Sequence, residues 1–279
     1  MTFSARPRKR FGQHWLRSEA VLDKITAAAE LSDRDHVLEI GPGTGLLTQR
    51  LLAAAASVIA VEIDADLCRK LERQFADVAK FLLLQGDILK LDLAQQLANH
   101  PDFAVPNKVV ANIPYYITGP ILERLLGTLA QPNTTPFSAI VLLVQQEIAD
   151  RITASPGSKI FGGLSVKVQY LAACEMICTV PPKAFQPPPK VISAVIRLKP
   201  RQFALQARNP QLLQQLVKLG FASKRKMLRN NLASIIERDR LLSLFAELGI
   251  ATNVRAEDLS VVNWVALSNK MLEGCYHSK

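Results

Sequence analysis

Short apolar segments alternate with helix-like segments along the first 200 residues of the chain. Seven of the apolar segments predict β-strands, over residues 36–40, 57–63, 81–87, 107–113, 139–145, 175–180 and 191–198. The first five are nearly continuous apolar runs, which is typical of parallel strands buried on both faces of a sheet. Between them, segments with an apolar repeat of three to four residues predict helices, over residues 46–56, 65–78 and 119–130. This alternation predicts a doubly wound α/β sheet.

The last two strand candidates are joined differently from the others. Their connection, residues 181–190, reads PPKAFQPPPK and is too short and too rich in proline to form a crossover helix. We therefore expect these two strands to pair antiparallel, as a hairpin at one edge of the sheet. Seven strands with an antiparallel last pair resemble the Rossmann-like fold of S-adenosylmethionine-dependent methyltransferases.

From about residue 201 the chain predicts a second unit that is small, helical and basic. Apolar residues recur every three or four positions over residues 211–236, 239–249 and 258–272. Residues 201–279 contain 12 basic and 6 acidic residues, so they carry +6 of the net charge of +10. This concentration of charge indicates contact with nucleic acid, although a soluble protein with a basic surface would show the same balance. We expect an α/β domain over residues 1–200 and a small, basic helical domain that contacts nucleic acid over residues 201–279.

Composition excludes several other classes of protein. The hydrophobic fraction of 49% and the charged fraction of 21% are those of a globular chain. The longest apolar run, residues 51–61, is too short to span a membrane, and no secretory signal is expected. The four cysteines match neither a disulfide framework nor, without a histidine cluster, a metal site. We therefore expect a cytoplasmic protein that binds no metal and no membrane, and a monomer, since no exposed apolar stripe is evident.

Glycines and acidic residues follow the first three predicted strands. Residues 37–45 read VLEIGPGTG, in which Gly41 and Gly43 let the backbone approach a ligand closely. This GxGxG spacing differs from the GxGxxG of dinucleotide enzymes and favours a nucleoside without a pyrophosphate. Glu62 lies 21 residues after Gly41, where a carboxylate can accept hydrogen bonds from ribose hydroxyls. Asp87, after the third strand, can accept one from the exocyclic amine of an adenine.

The fourth strand ends in Asn-Ile-Pro-Tyr, residues 112–115, which is the most specific motif of the chain. Methylating the amino group of adenine is difficult because its lone pair is delocalised into the ring. Asn112 can accept a hydrogen bond from that amine with its side-chain carbonyl, and Pro114 stiffens the turn. Tyr115 offers a ring on which an extruded base can stack. The motif therefore predicts catalysis mainly by positioning, with no acid or base strictly required.

One family shows these motifs in the same order: GQHWL (12–16), VLEIGPGTG, VEID, GDIL, NIPYYIT, VQQEIADRI (144–152), FQPPPKVISAVIRL and FASKRKMLRNNL. From about residue 8 to about residue 272, the chain resembles the KsgA/RsmA ribosomal RNA adenine dimethyltransferases, which are related to the Dim-type and Erm enzymes. The combination is highly specific, although VEID or GDIL alone would not be.

The resemblance implies a role for each motif residue. The residues expected to bind S-adenosylmethionine are Gln13, His14, Leu16, Gly41, Gly43, Glu62, Asp87 and Asn112. The residues expected at the methyl-transfer centre are Asn112, Pro114, Tyr115 and Phe185, with Tyr115 stacking on the target base and Phe185 closing over its other face. The family often has Asn at the position of His14 and Phe at the position of Trp15. Tyr116 is assigned no role.

Two basic segments are expected to contact RNA phosphates. The first is a flexible arm that contains Arg8, Lys9 and Arg10. The second lies on or beside one helix of the second domain and contains Lys224, Arg225, Lys226 and Arg229. A solvated helix face is the alternative interpretation of the second segment.

The resemblance implies dimethylation of the N6 atoms of two adjacent adenosines in the 3′-terminal hairpin loop of 16S ribosomal RNA, within an immature small subunit. Two alternatives stay open. One is an Erm-like enzyme that acts on 23S ribosomal RNA, although the FASKRKMLRNNL and FQPPPKV segments look more like KsgA. The other is a non-catalytic assembly factor, although intact GPGTG and NIPY motifs argue against a dead site.

Overall fold

The computed structural model describes residues 7–8, 11–134 and 137–273. These residues form two compact units. The larger unit comprises Met1–Leu125, Thr135–Ala149 and Glu175–Pro200, and the smaller comprises Leu126–Thr134, Asp150–Cys174 and Arg201–Lys279. One division falls at residue 200, and the smaller unit also takes up two earlier segments of the chain.

The described residues contain strands and helices in alternation. The strands are β1 (Trp15–Leu16), β2 (His36–Ile40), β3 (Ser57–Glu62), β4 (Phe81–Gln85), β5 (Lys108–Asn112), β6 (Ala139–Gln145), β7 (Ala172–Val180), β8 (Phe185–Gln186) and β9 (Ser193–Pro200). The helices are α1 (Glu19–Ala28), α2 (Leu46–Ala54), α3 (Ala65–Gln74), α4 (Leu93–Ala98), α5 (Thr118–Leu126), α6 (Gln146–Thr153), α7 (Gly163–Leu171), α8 (Pro210–Gly220), α9 (Leu228–Asn231), α10 (Arg238–Glu247) and α11 (Val261–Glu273). None of these helices is long and apolar enough to cross a membrane.

The larger unit is built on a seven-stranded sheet in the order β4-β3-β2-β5-β6-β9-β7. The first five of these strands are parallel, and β9 runs antiparallel to β6. The central strands are buried on both faces, which explains their continuous apolar sequences. The α/β fold class is confirmed, and β7 and β9 are neighbours at one edge, as predicted from the proline-rich connection.

The parallel strands bring distant motifs to the same edge of the sheet. Strands β2, β3, β4 and β5 are neighbours and all run in one direction, so their carboxyl ends meet. Gly41, Glu62, Asp87 and Asn112 stand at or just beyond those ends. This arrangement is the reason that residues spread over 70 positions of the chain can form one site.

A second, two-stranded sheet joins the GQHWL segment to the proline-rich connection. Strands β1 and β8 pair antiparallel, with Trp15 opposite Gln186 and Leu16 opposite Phe185. The backbone N–H of Arg17 continues this contact by donating to the carbonyl of Ala184 at 2.8 Å. Strands of two residues are too short to show a period in the sequence, so this pairing was not predicted.

The smaller unit is mainly helical in its described residues, as the apolar repeat predicts. The segment over residues 211–236 is interrupted, because α8 ends at Gly220 and α9 begins at Leu228. The side-chain amide of Asn231 donates to the carbonyls of Gly220 and Ser223, at 2.6 and 3.0 Å. These bonds satisfy carbonyls at the end of α8 and hold the chain in a turn.

Candidate active site

A cavity opens at the carboxyl edge of the parallel strands and contains most of the predicted site. The predicted residues that line it are Gln13, His14, Leu16, Gly41, Gly43, Glu62, Asp87, Asn112, Pro114 and Tyr115. They come from the segment around β1 and from the turns that follow β2 to β5. The structure therefore brings together every residue expected to bind the cofactor, and all the expected catalytic residues except Phe185.

The GPGTG turn forms the floor of this cavity. Gly41 has φ of +69°, and its N–H donates to the carbonyl of Val61 at 2.9 Å. An added Cβ at Gly41 would have only the Asn112 carbonyl within reach, at 3.8 Å, so it would point into space that a ligand can use. Gly43 has φ of +59°, and its added Cβ would lie 3.2 Å from the Trp15 ring. Glycine therefore lets the backbone approach a ligand closely at Gly41 and the Trp15 ring closely at Gly43.

Glu62 is a buried carboxylate with backbone partners, and it forms no ion pair with a described residue. Its side chain accepts hydrogen bonds from the N–H groups of Asp64, at 2.9 Å, and Gly43, at 3.2 Å. Burial raises the pKa of this carboxyl above its ordinary value, and the backbone donors oppose that shift. Two fixed donors hold the carboxylate in one orientation at the cavity wall, where its remaining lone pairs can accept from a pair of hydroxyls.

Asp87 provides a second acceptor further along the same wall. One oxygen of its carboxylate accepts from the N–H of Leu89 at 3.0 Å. Its other oxygen has no hydrogen-bond partner among the described side chains and backbone groups. A half-buried carboxylate with one free oxygen suits an exocyclic amine, which is the contact expected from the sequence.

Glu39 also lines the cavity, and sequence reasoning missed it. The residue is buried inside β2, with 1% of its surface exposed, and accepts a hydrogen bond from Thr48 Oγ1 at 2.7 Å. Burial raises the pKa of Glu39 to about 8, and the nearby Glu62 acts in the same direction. Glu39 is therefore mostly a neutral acid at pH 7. An acidic residue in the middle of an apolar strand was the available signal.

Asn112 is oriented by the segment that contains β1. Its side-chain Nδ2 donates a hydrogen bond to the backbone carbonyl of His14 at 3.1 Å. Because an amide has one donor end and one acceptor end, this contact leaves the Oδ1 atom free to accept from a ligand in the cavity. The orientation is the one that the predicted role in catalysis requires.

Tyr115 lies beside Asn112 in a 3₁₀ turn, Tyr115–Ile117, that follows Pro114. Its hydroxyl is 2.6 Å from Ser193 Oγ, and burial raises the pKa of the phenol. The phenol is therefore neutral, and its hydroxyl is held by Ser193. The imidazole of His14 is nearly parallel to it, with an interplanar angle of 17° and ring centroids 6.0 Å apart.

His14 connects three parts of the site. Its Nδ1 lies 2.8 Å from the carbonyl oxygen of Pro187, in the proline-rich connection. Since a carbonyl can only accept, Nδ1 carries the proton of this hydrogen bond. The imidazole thus does donate a hydrogen bond, as an Asn at this position could, and the acceptor is the backbone.

Phe185 is not where the resemblance placed it. Its side chain is buried, with 3% exposed, in the hydrophobic core that also contains Leu16 and Val180, and it does not line the cavity. The pairing of β8 with β1 turns this ring inward, opposite Leu16. In this arrangement the ring faces the core, and closure of Phe185 over the target base stays a prediction.

Arg8 does not belong to a free basic arm. Its guanidinium pairs with Asp64, at 3.1 Å, and with Asp66. Its backbone N–H donates to Gln13 Oε1 at 2.7 Å, and Gln13 Nε2 donates to Asp64 at 3.1 Å. Arg8 therefore fastens the GQHWL segment to the start of α3, and its charge is already compensated. Lys9 and Arg10 lie outside the described residues.

The second basic segment is a loop and not a helix face. Lys224, Arg225 and Lys226 are exposed between α8 and α9, and none forms an ion pair with any described residue. Arg229, on α9, is half-buried and donates to the carbonyl of Thr252 at 2.9 Å. Three uncompensated charges on one loop can therefore meet an anion, whereas Arg229 also has a structural role. In the described part of the chain, no group of acidic, His or Cys side chains could hold a metal.

Known proteins match the chain over nearly its whole length. The family model for ribosomal RNA adenine dimethylase matches residues 4–272. A ribosomal RNA small subunit methyltransferase A from a Nostoc species is 60% identical over 264 residues, which cover 95% of this chain and 97% of the relative. The protein of that name from Synechococcus elongatus is 58% identical over 260 residues, which cover 93% of each chain.

Solved structures show the same similarity. A dimethyladenosine transferase from Plasmodium falciparum superposes with a TM-score of 0.79 at 25% identity, covering 93% of this chain and 98% of that one. The 23S rRNA methyltransferase ErmE superposes with a TM-score of 0.71 at 25% identity, covering 92% and 98%. With the strand-end motifs gathered in one cavity, these matches show that the chain belongs to the ribosomal RNA adenine dimethylase family.

Proposed function

We propose that this protein transfers methyl groups from S-adenosylmethionine to the N6 atoms of two adjacent adenosines in the 3′-terminal hairpin loop of 16S ribosomal RNA. The observation that carries the proposal is the hydrogen bond from Asn112 Nδ2 to the His14 carbonyl, which leaves Oδ1 as an acceptor in the cavity. The names of the curated relatives support the small-subunit substrate.

The residues of the cavity fit S-adenosylmethionine. The open space above Gly41 accommodates a group that a side chain would fill. Glu62 is held as an acceptor for the ribose hydroxyls, and the free oxygen of Asp87 suits the adenine amine. When bound, the cofactor supplies a methyl group activated on a sulfonium.

Asn112 and Tyr115 act on the adenine by holding it. Asn112 Oδ1 accepts a hydrogen bond from the N6 amine, which fixes that nitrogen and draws electron density toward its lone pair. The ring of Tyr115 supports the face of the extruded base, and its bond to Ser193 keeps the ring in place. Both side chains are neutral, so the rate gain comes mainly from position.

The RNA contacts that we propose lie on both units. The exposed loop of Lys224, Arg225 and Lys226 can neutralise phosphates, and Arg229 can add to it. Lys9 and Arg10 remain proposed contacts from the sequence alone. We infer that the partner is an immature small subunit, that the enzyme acts as a monomer, and that it works where subunits are assembled, in the cytoplasm.

Methyl-labelled S-adenosylmethionine tests the proposal with three acceptors: unmethylated small-subunit particles, protein-free 23S ribosomal RNA and duplex DNA. Labelled N6,N6-dimethyladenosine from the small-subunit particles alone is the expected result. Label in the 23S RNA would replace the proposal with an Erm-like activity. Intact cofactor binding without label in any acceptor would leave the assembly-factor alternative, which requires Asn112→Ala to retain particle binding and assembly.

A further inference from the structure

Tyr116 is an exposed aromatic side chain next to the proposed catalytic residues. It follows Tyr115 in the 3₁₀ turn Tyr115–Ile117 and lines the same cavity. Its exposed fraction is 63%, whereas every other described Phe, Tyr and Trp side chain is buried or half-buried. Apolar ring surface that stays exposed to water contributes nothing to the stability of the folded protein.

The ring of Tyr116 rests on the backbone of Gly12. A Cβ added at Gly12 would lie 3.3 Å from Tyr116 Cε1 and 3.4 Å from Cδ1, so the ring packs directly against the glycine. Gly12 has φ of +59°, a conformation that favours glycine. Since the backbone supports the ring at this contact, the high exposure of Tyr116 leaves its other surface open to solvent.

The two consecutive tyrosines differ in how they are held. Tyr115 is half-buried, packs against the core and has its hydroxyl at 2.6 Å from Ser193. The side chain of Tyr116 makes no hydrogen bond with the described residues. Tyr115 and Tyr116 are consecutive in one turn, with Cα atoms about 3.8 Å apart, and both line the same cavity.

We propose that Tyr116 is a second base-binding site, on which the purine next to the target adenine stacks while Tyr115 supports the target. Aromatic side chains bind unpaired bases by stacking, and a solvent-exposed ring face is what this contact needs. The inference rests on the proposed function, because it takes the two adjacent adenines as the substrate. It assigns the neighbouring nucleotide to Tyr116.

A binding measurement that does not depend on methyl transfer tests this site. The probes are hairpin RNAs that carry 2-aminopurine in place of the nucleotide on either side of the target adenine, titrated with full-length protein and S-adenosylhomocysteine. We expect the wild-type protein to quench one of the two probes by stacking. Tyr116→Phe keeps the ring and should retain that quenching, whereas Tyr116→Ala should lose it. Val105→Ala, at an exposed apolar residue outside the cavity, is the control.

Steady-state measurements give the second readout. Tyr116→Ala should raise the KM for the RNA particle roughly tenfold, since removal of one base–aromatic stack costs affinity on this scale. The Kd of S-adenosylmethionine should stay at the wild-type value. Equal quenching by wild type and Tyr116→Ala would overturn the inference, and so would weaker cofactor binding by the variant. Failure of the proposed function would be seen separately, as absence of label in small-subunit particles with the wild-type enzyme.

Discussion

The side chain of Asn112 donates a hydrogen bond to the backbone carbonyl of His14, 98 positions earlier in the chain, at 3.1 Å. His14 in turn holds the carbonyl of Pro187 through its ring, at 2.8 Å. The orientation of the Asn112 side chain thus depends on two loops that lie outside the main sheet, one with His14 and one with Pro187.

Replacing Asn112 by Asp should abolish the orientation of this side chain. A carboxylate cannot donate to the His14 carbonyl and would repel it, so the acceptor would no longer be held toward the cavity. We expect kcat to fall by about 100-fold or more, with little change in melting temperature. Labelling of small-subunit particles and thermal unfolding check these two expectations. A variant with near-normal kcat would show that the hydrogen bond does not position the reacting group.

Glu39 should make the stability of the protein depend on pH. The folded-state pKa is about 8, above the ordinary value of 4.5, so the unfolded chain loses this proton at lower pH than the folded chain does. The free energy of unfolding therefore falls as pH rises from 4.5 to 8, by up to roughly 1.4 kcal/mol per unit. Glu39→Gln removes this slope.

Urea unfolding at pH 5 and pH 8 measures the effect. We expect Glu39→Gln to gain stability relative to wild type at pH 8 and to gain much less at pH 5. Glu72→Gln, on the exposed side of α3, is the matched control and should follow the wild type. Parallel behaviour of Glu39→Gln and wild type at both pH values would mean that Glu39 is ionised when folded.

The basic loop should govern the salt dependence of RNA binding. Changing Lys224, Arg225 and Lys226 together to Ala removes three uncompensated charges. We expect the slope of log K against log salt concentration to decrease by about 2 to 3, because each phosphate contact contributes roughly 0.7–0.9. The Kd of S-adenosylmethionine should not change.

A double variant provides the comparison for this loop. Arg238 and Arg240 are exposed on α10 of the same unit, so Arg238→Ala/Arg240→Ala removes charge without touching the loop. This double variant should keep the wild-type salt slope in filter-binding titrations with small-subunit particles. A loss of slope equal to that of the triple variant would indicate binding through overall charge alone.

Gly220 should tolerate no side chain. A Cβ at this position would lie 2.3 Å from Trp264 Cη2, and Trp264 is fully buried in the helical unit. Gly220→Ala is expected to destabilise the protein by roughly 1–3 kcal/mol through overpacking. Gly119→Ala, in α5, has open space around its Cβ and should be neutral or slightly stabilising. Chemical denaturation of both variants distinguishes packing from helix propensity.

Much of the larger unit could be predicted from the sequence because its signals are local. Strands β2 and β6 have the bounds expected from their apolar runs, and the strand-end motifs lie where the parallel sheet requires them. Less of the helical unit could be predicted from the sequence. The break between Gly220 and Leu228 depends on the side chain of Asn231 and on the packing of Trp264, which periodicity does not reveal.

The site residues also fall into two groups, those that local sequence predicts and those whose contacts only the tertiary structure determines. The sequence alone predicted that the glycines, Glu62, Asp87 and the Asn-Ile-Pro-Tyr turn share one site, because residue type and spacing relative to a strand end carry that information. Only the tertiary structure decided that Phe185 is buried, that Arg8 is paired with Asp64, and that Asn112 is turned by His14. These outcomes depend on contacts between segments more than 50 positions apart. A local sequence pattern does not predict which distant group accepts a given hydrogen bond, pairs with a given charge or packs against a given ring.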